Sequence, residues 1–260
     1  MNRPLKVAVL CSRRAPGLLQ LLNRDARRGR DYDVVCCVSS EETFDEQTGV
    51  ERRGLPCLPH PVRAFYRQRD ACLGDLSVRA AYDADTLRIL EPYHPDLLVL
   101  DGYLLLLTKP VLDVFDGRML NVHHSDLLLR DSSGRAKYPG LRAVADALLA
   151  GEHETRVSTH LVTDRVDDGP VILRSWAFPV SEVAAWARKR QAWDVLRSAS
   201  WAHQEWMLRE GWWPMLARSI ELAARAMEAP DARLDANRIG RWVLDPAGSL
   251  LAEERVMEAV

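Results

Sequence analysis

The stretch Leu5–Cys11, which reads LKVAVLC, decides the fold, because only Lys6 interrupts its apolar run. A short, continuous apolar run with β-branched residues is typical of a strand that is buried on both faces, as in a parallel sheet. A Pro-Gly break at 16–17 and an amphipathic run over 18–28 follow it. This order predicts a buried strand that leads through a turn into a helix.

The alternation of strands and helices continues through the first half of the chain. Further strands are predicted over 32–38, 54–58, Leu97–Leu100 (LLVL) and 119–122, with helices over 73–90 and up to 113–115. Strands that alternate with helices predict an α/β fold with a doubly wound, mostly parallel sheet. Because ligands bind beyond the carboxyl ends of such strands, we expect the chemistry just after Leu10, Leu100 and Val122.

The second half adds elements that do not follow this alternation. It predicts a loop over 126–137, a helix over 141–150, strands over 157–163, 171–173 and 175–180, a Trp-rich helical stretch over 181–228 and a terminal hairpin from 241. Trp186, Trp193 and Trp201 recur at helical spacing, which predicts that they pack on one helical face. We therefore expect one α/β domain over 1–180 and, packed on it, C-terminal helices and a hairpin over 181–260.

Composition excludes several classes of protein. The 260 residues carry 35 Lys and Arg against 37 Asp and Glu, a net charge of −2, which argues against binding to nucleic acid or an anionic membrane. The five cysteines form no C-x-x-C pair, so we expect reduced, structural thiols and no metal site. The apolar run 97–107 is interrupted by Asp101 and too short for a bilayer, and 7–11 is too short for a signal peptide. A cytoplasmic protein is expected.

Three short motifs place reactive groups near one another. Asn121 and His123 end a predicted strand two residues apart, so their side chains share one face. K-Y-P-G-L follows at 137–141, and S-T-H-L-V-T-D-R-V-D-D-G-P-V-I covers 158–172. A carboxamide, an imidazole and a carboxylate can together hold an oxyanion and move protons while an acyl unit is transferred.

These blocks, in this order, resemble the folate-dependent formyltransferase family, and most closely its phosphoribosylglycinamide formyltransferase branch. The resemblance covers about residues 5–215 and implies a Rossmann-like fold, with the catalytic domain at 1–180. It implies 10-formyltetrahydrofolate as co-substrate and a small-molecule amine as acceptor. Asn121 would then bind the formyl oxygen, and His123 would stabilise the oxyanion or supply a proton. Asp167 would hold His123 and accept a proton from the amine.

The resemblance also implies a folate pocket that is built largely from backbone groups. The matching positions here are Tyr103, Leu104, Leu105, Leu107, Val162, Thr163 and Asp164. His160 is either a support for the site or a structural histidine, and Asp164 and Asp168 are expected to form the turn. The family usually has proline where this chain has His124, and we expect an exposed loop histidine there.

The acceptor side departs from the family. The glycine-rich phosphate loop of the purine enzyme is replaced by Cys-Ser-Arg-Arg-Ala-Pro-Gly at 11–17, and Pro16 removes a backbone donor. Arg13 and Arg14 either replace that loop with guanidinium contacts or face solvent. The candidate acceptor contacts are Ser12, Arg13, Arg14 and Glu205. The link between His123 and Lys137 is also longer than in the family.

A retained catalytic set beside an altered acceptor side favours a formyltransferase whose acceptor is another amine or hydroxylamine in specialised, siderophore-like metabolism. The alternatives are a glycinamide ribonucleotide formyltransferase of purine biosynthesis, a 10-formyltetrahydrofolate hydrolase and a folate-binding module without catalysis. We expect a monomer or a homodimer.

Overall fold

The structure is a computed structural model that describes residues 3–227, 229 and 232–253. Its strands are β1 Leu5–Cys11, β2 Tyr32–Ser39, β3 Cys57–Pro59, β4 Leu97–Leu100, β5 Met119–His123, β6 Glu154–Thr155, β7 Ser158–Leu161, β8 Val171–Arg174, β9 Phe178–Pro179, β10 Trp242–Leu244 and β11 Leu250–Ala252. Its helices are α1 Leu18–Arg24, α2 Gln47–Glu51, α3 Val62–Arg67, α4 Leu76–Leu90, α5 Lys109–Val114, α6 Ala143–Ala150, α7 Glu182–Lys189, α8 Trp193–Met207, α9 Trp213–Ala226 and α10 Ala236–Ile239.

A nine-stranded sheet organises these elements in the order β11-β10-β8-β7-β5-β4-β1-β2-β3. The five strands from β3 to β5 run parallel, β7 pairs antiparallel with both β5 and β8, and the terminal hairpin β10–β11 joins through a parallel β8–β10 pair. The sheet therefore confirms the predicted doubly wound, mostly parallel α/β fold. It also brings the carboxyl ends of β1, β4 and β5 to one edge, where the chemistry was expected.

Helices cover both faces of the parallel strands, and β1 shows why. Its residues alternate between two apolar clusters: Val7 and Val9 share one with Leu18 of α1, whereas Ala8 and Leu10 share the other with Leu90 of α4. Side chains of successive strand residues point to opposite faces. A strand that is buried on both faces therefore needs the continuous apolar run that Leu5–Cys11 supplies.

Several predicted boundaries are wrong, and local hydrogen bonds explain most of them. The helix predicted over 73–90 begins at Leu76, because the Asp75 carboxylate accepts from the amides of Ser77 and Val78 and caps the helix. The helix predicted over 18–28 ends at Arg24, just before the turn that Asp25 forms with Arg27.

Other differences concern short elements. The strand predicted over 54–58 lies at Cys57–Pro59, and the helix Val62–Arg67 was not predicted. The strand predicted over 175–180 shrinks to Phe178–Pro179, because the Ser175 side chain accepts from the Val157 amide and donates to the Trp176 carbonyl. These are contacts of a bend rather than of a continuing strand.

The predicted Trp-rich helical stretch is interrupted, and its tryptophans do not share one face. Trp186 lies on α7 and Trp193 and Trp201 on α8, because Gln191, at φ +57°, breaks the helix between them. All three rings are more than half exposed, so the prediction that they pack is also wrong. The predicted end of this stretch, residue 228, and residues 254–260 of the predicted C-terminal region lie outside the described residues.

The longer link after β5 has an ordered path. A turn over 131–135 is closed by the Asp131 carboxylate, which accepts from the amides of Ser133 and Arg135, and a β-bridge joins Arg130 to Ala136. This turn carries Lys137 and the following residues to the mouth of the site. Within the described residues, no helix has both the length and the apolar character that crossing a bilayer requires.

Candidate active site

A cavity of about 270 Å³ opens at the carboxyl ends of β4 and β5. Every residue predicted to be catalytic or to bind folate lines it: Asn121, His123, Asp167, Tyr103, Leu104, Leu105, Leu107, Val162, Thr163 and Asp164. The segment after β4 supplies an apolar wall, and the turn after β7 supplies a mainly polar one. An apolar pocket with a few convergent polar groups is the usual form of a small-molecule site.

Asn121 is held at the floor of this cavity by two acceptors. Its amide nitrogen lies 3.0 Å from Asp167 Oδ1 and 3.1 Å from His160 Nε2. His160 Nδ1 lies 2.9 Å from the Leu161 carbonyl oxygen, which can only accept, so the proton sits on Nδ1 and Nε2 accepts from Asn121. Both amide hydrogens of Asn121 are therefore aimed before any ligand arrives.

Asp167 is the centre of the cluster. Its backbone adopts φ +49°, a left-handed conformation that is uncommon for non-glycine residues and that aspartate tolerates better than most. Its second carboxylate oxygen accepts from the Gly140 amide at 2.8 Å, which ties the turn to the Lys-Tyr-Pro-Gly-Leu loop. Burial alone would raise the pKa of this carboxyl, but the nearby His123 and the hydrogen bond from the Gly140 amide help to hold it below its usual value. Asp167 is thus ionised at neutral pH.

His123 is buried and only loosely held. Its Nδ1 lies 3.6 Å from Asp167 Oδ2, and its Nε2 lies 3.4 Å from the Tyr138 carbonyl oxygen, both at or beyond the limit of a hydrogen bond. Burial lowers the pKa of His123, the nearby His160 lowers it further, and Asp167 opposes both. The ring is therefore neutral at pH 7, with one N–H to offer.

His124 does not lie where the sequence predicts. Instead of being an exposed loop residue, it lines the cavity with both ring nitrogens buried and without a hydrogen-bond partner. Burial, together with the neighbouring His123, lowers its pKa to about 3. The ring stacks on His123 and lies 5.8 Å from the Trp212 ring, so the cavity wall covers it.

The predicted acceptor contacts are brought together only in part. Arg14 and Glu205 form an ion pair of 2.8 Å, although 191 residues separate them along the chain. Arg13 is exposed. Ser12 is buried, and its hydroxyl accepts from Ser40 Oγ and from the Leu104 amide, so it links the loop after β1 to the apolar wall after β4 rather than facing the cavity.

Two residues beside the site were not predicted to contribute to it. Asp101, which directly follows β4, is fully buried and accepts hydrogen bonds from Trp212 Nε1 and from the amides of Gly17 and Leu18. An acidic residue at the end of an apolar strand was the available signal for Asp101. No local pattern indicates Trp212, because its indole N–H is bound by Asp101, which lies 111 positions away in the sequence. In the part of the chain that the structure describes, no cluster of His, Cys, Asp and Glu could hold a metal ion.

Comparison with known sequences finds a matching family and relatives whose names refer to purine biosynthesis or to phosphoribosylglycinamide formyltransferase. The formyl transferase family model matches residues 5–184. The trifunctional purine biosynthetic protein adenosine-3 of Drosophila melanogaster is 31% identical over 181 residues, 69% of this chain and 12% of that protein. The phosphoribosylglycinamide formyltransferase of Escherichia coli K12 is 39% identical over 97 residues, 37% of this chain and 42% of that enzyme. The matches thus span less than half of either relative.

Solved structures show the same fold. Glycinamide ribonucleotide transformylase 1 from Symbiobacterium toebii superposes with a TM-score of 0.62 at 26% identity, over 90% of this chain and 96% of that one. A formyltetrahydrofolate deformylase from Pseudomonas syringae pv. tomato superposes with a TM-score of 0.61 at 21% identity, over 86% of this chain and 62% of that one. The second likeness shows the fold alone.

Proposed function

The chain belongs to the formyl transferase family, and from this premise we propose that it moves the formyl group of 10-formyltetrahydrofolate to a primary amine. The observation that carries the proposal is the meeting of Asn121, His123 and Asp167 at one cavity, whose apolar wall suits a flat heteroaromatic ring. In the reaction the amine attacks the formyl carbon, a tetrahedral intermediate forms, and the bond from that carbon to folate N10 breaks.

Asn121 and His123 act on the oxygen of that intermediate. The Asn121 amide group is already positioned by Asp167 and His160, so the formyl oxygen needs only to replace one of these acceptors. His123 is neutral, so it serves as a hydrogen-bond donor rather than as a cationic acid. Preorganised donors to the developing charge are the usual source of catalysis in acyl transfer, and here the Asn121 amide has only to exchange one acceptor for the formyl oxygen.

Asp167 acts on the proton. When the amine attacks, its nitrogen becomes positively charged and acidic, and a nearby carboxylate can take the released proton directly or through water. Asp167 is ionised and shares the cavity with Asn121 and His123, so it meets both requirements. The proton then passes to folate N10 as the carbon–nitrogen bond breaks, and the charges balance.

The names of the relatives favour glycinamide ribonucleotide as the acceptor over the specialised amine or hydroxylamine expected from the sequence. We therefore put glycinamide ribonucleotide first and keep the specialised acceptor as a prediction. The catalytic domain boundaries, the cytoplasmic location and the oligomeric state also stay predictions.

The test is a direct assay of formyl transfer. The protein is incubated with 10-formyltetrahydrofolate that carries a ¹³C-formyl group, together with glycinamide ribonucleotide, a panel of other amines, or no amine. Mass spectrometry follows the label and absorbance follows tetrahydrofolate. The proposal predicts tetrahydrofolate release that depends on an amine and an equal amount of labelled N-formyl product.

Two other outcomes would contradict it. Tetrahydrofolate and labelled formate without any amine would indicate a hydrolase. Saturable folate binding without turnover on any acceptor would indicate a binding module.

A further inference from the structure

The backbone amides of the loop after β1 donate hydrogen bonds to carboxylates of the protein itself. The Ala15 amide donates to Glu46 Oε2 at 2.8 Å, and the Leu18 amide donates to Asp101 Oδ2 at 2.8 Å. The Gly17 amide lies 3.1–3.2 Å from both Asp101 oxygens. In doubly wound folds this first strand-to-helix turn is where backbone N–H groups commonly bind a phosphate. Here those donors are already in use.

Asp101 takes the place of an outside anion. It is fully buried, and Trp212 Nε1 gives it a further hydrogen bond of 2.7 Å. Burial raises its pKa to about 6, against the opposing effect of its donors, so the carboxylate is ionised at neutral pH. A phosphate would have to displace this carboxylate from the amides and would lie beside its charge, unscreened by water.

The side chains around the loop do not restore a positive site. Arg14 pairs with Glu205 at 2.8 Å and also faces Glu46 at 3.9 Å and Asp45 at 4.0 Å. Arg13 is exposed and projects from the same loop. The loop and its neighbours therefore set four carboxylates, with Asp101 included, against two guanidinium groups. A dianion gains little from such surroundings.

We infer that this chain recognises its acceptor without a phosphate contact at the loop after β1, and that Asp101 and Glu46 are the residues that determine this specificity. The inference rests on the proposed formyl transfer and defines its substrate class as amines whose recognition does not depend on a phosphate. A phosphorylated amine such as glycinamide ribonucleotide would react with its phosphate outside this loop.

The test compares glycinamide ribonucleotide with its dephosphorylated nucleoside as acceptors and measures binding of ribose 5-phosphate by calorimetry. We expect the phosphate to change kcat/KM by no more than about threefold in the natural protein, because no buried partner is lost with it. Ribose 5-phosphate should show no saturable binding at millimolar concentration. A preference of about tenfold or more for the phosphorylated acceptor, the size of effect that one lost buried polar contact produces, would overturn the inference.

Variants sharpen the comparison. Asp101→Ala frees the amides of Gly17 and Leu18, and Glu46→Ala frees the amide of Ala15, so each should create measurable ribose 5-phosphate binding. Glu51→Ala, an exposed change on α2, the helix that Glu46 precedes, is the matched control and should not. Ribose 5-phosphate binding by the natural protein that shifts the Gly17 and Leu18 amide resonances would contradict the inference, even if no amine were formylated. Failure of formyl transfer with every amine would instead refute the proposed function.

Discussion

Two regions at one edge of the sheet differ in whether their polar groups face a cavity or are paired with other groups of the protein. At the carboxyl end of β5, Asn121 and His123 face a cavity of about 270 Å³ together with Asp167 from the turn after β7, although Asn121 already donates to Asp167. Beyond β1, the amides of Ala15, Gly17 and Leu18 are closed by buried or half-buried carboxylates. Both β1 and β5 belong to the parallel part of the sheet, and doubly wound folds place ligand sites at the carboxyl ends of such strands. A strand end in this fold can therefore form a ligand site, but the side chains packed around it determine whether its polar groups remain accessible to a ligand.

The difference also separates two parts of the sequence. The donors and acceptors of the catalytic loop all come from residues 5–184, the part that the family model matches. The loop after β1 is completed by Trp212 and Glu205, which lie beyond that match. The C-terminal helical region thus helps to close the loop after β1.

The largest effect should come from a glycine in the catalytic turn. A Cβ at Gly169 would lie 1.8 Å from the Leu161 carbonyl oxygen, which belongs to the backbone and cannot move aside. Gly169→Ala should cost about 4 kcal/mol or more of unfolding free energy, or prevent folding. At Gly17 the nearest atom is Leu216 Cδ2 at 2.6 Å, the end of a side chain that can rotate, so Gly17→Ala should cost about 1–2 kcal/mol. Chemical denaturation measures both, and equal costs would contradict the comparison.

Loss of the catalytic side chains should come next. Asn121→Ala and His123→Ala should each lower turnover by about 100- to 1,000-fold, the usual cost of one donor to a developing oxyanion. Steady-state release of tetrahydrofolate measures the effect. The matched controls are Asn23→Ala and His153→Ala, two exposed positions that should leave turnover unchanged. Near-normal turnover of a folded His123→Ala protein would show that the catalytic assignment is wrong.

Much of this arrangement could be predicted from the sequence. The apolar runs at β1, β4 and β5 identified the sheet, and the motifs around Asn121 and Asp167 identified the cavity, because both signals are local. The exposure of Trp201 and the burial of His124 could not be predicted, since they depend on which distant elements cover them. The helix Val62–Arg67 is too short to show a periodicity. The role of Asp101 depends on Trp212, which lies 111 residues further along the chain.

A smaller effect tests how the β1 loop is closed. Trp212→Phe removes one hydrogen bond to a buried carboxylate and should cost about 2 kcal/mol of unfolding free energy. Burial raises the pKa of Asp101 from the ordinary aspartate value to about 6 in the folded protein. The folded state therefore loses stability as the pH rises from the ordinary aspartate pKa through about 6, where Asp101 ionises. Without the Trp212 N–H donor, the ionised Asp101 carboxylate destabilises the folded state further. The cost of Trp212→Phe should therefore be larger at about pH 7.5 than at about pH 5.

Trp201→Phe is the control for this measurement, because its ring is 74% exposed. It should cost little at either pH. A cost of Trp212→Phe that is independent of pH would show that the Asp101 charge does not contribute to the closure.

The smallest effect should come from the exposed ion pair between Arg14 and Glu205. Its partners are 39% and 53% exposed, so a double-mutant cycle with alanine should give a coupling of about 0.5 kcal/mol or less that disappears at high salt. The exposed pair of Lys109 and Asp113 provides a reference of the same kind. A coupling of about 2 kcal/mol would mean that this pair, rather than the buried carboxylates, closes the loop.

Hydrogen–deuterium exchange with two ligands tests the contrast between the loops most directly. A stable 10-formyl folate analogue should slow exchange in 102–107 and 162–167, which line the cavity, whereas ribose 5-phosphate should leave 12–18 unchanged. Slower exchange of 12–18 with ribose 5-phosphate, or unchanged exchange of 102–107 and 162–167 with the folate analogue, would contradict the account.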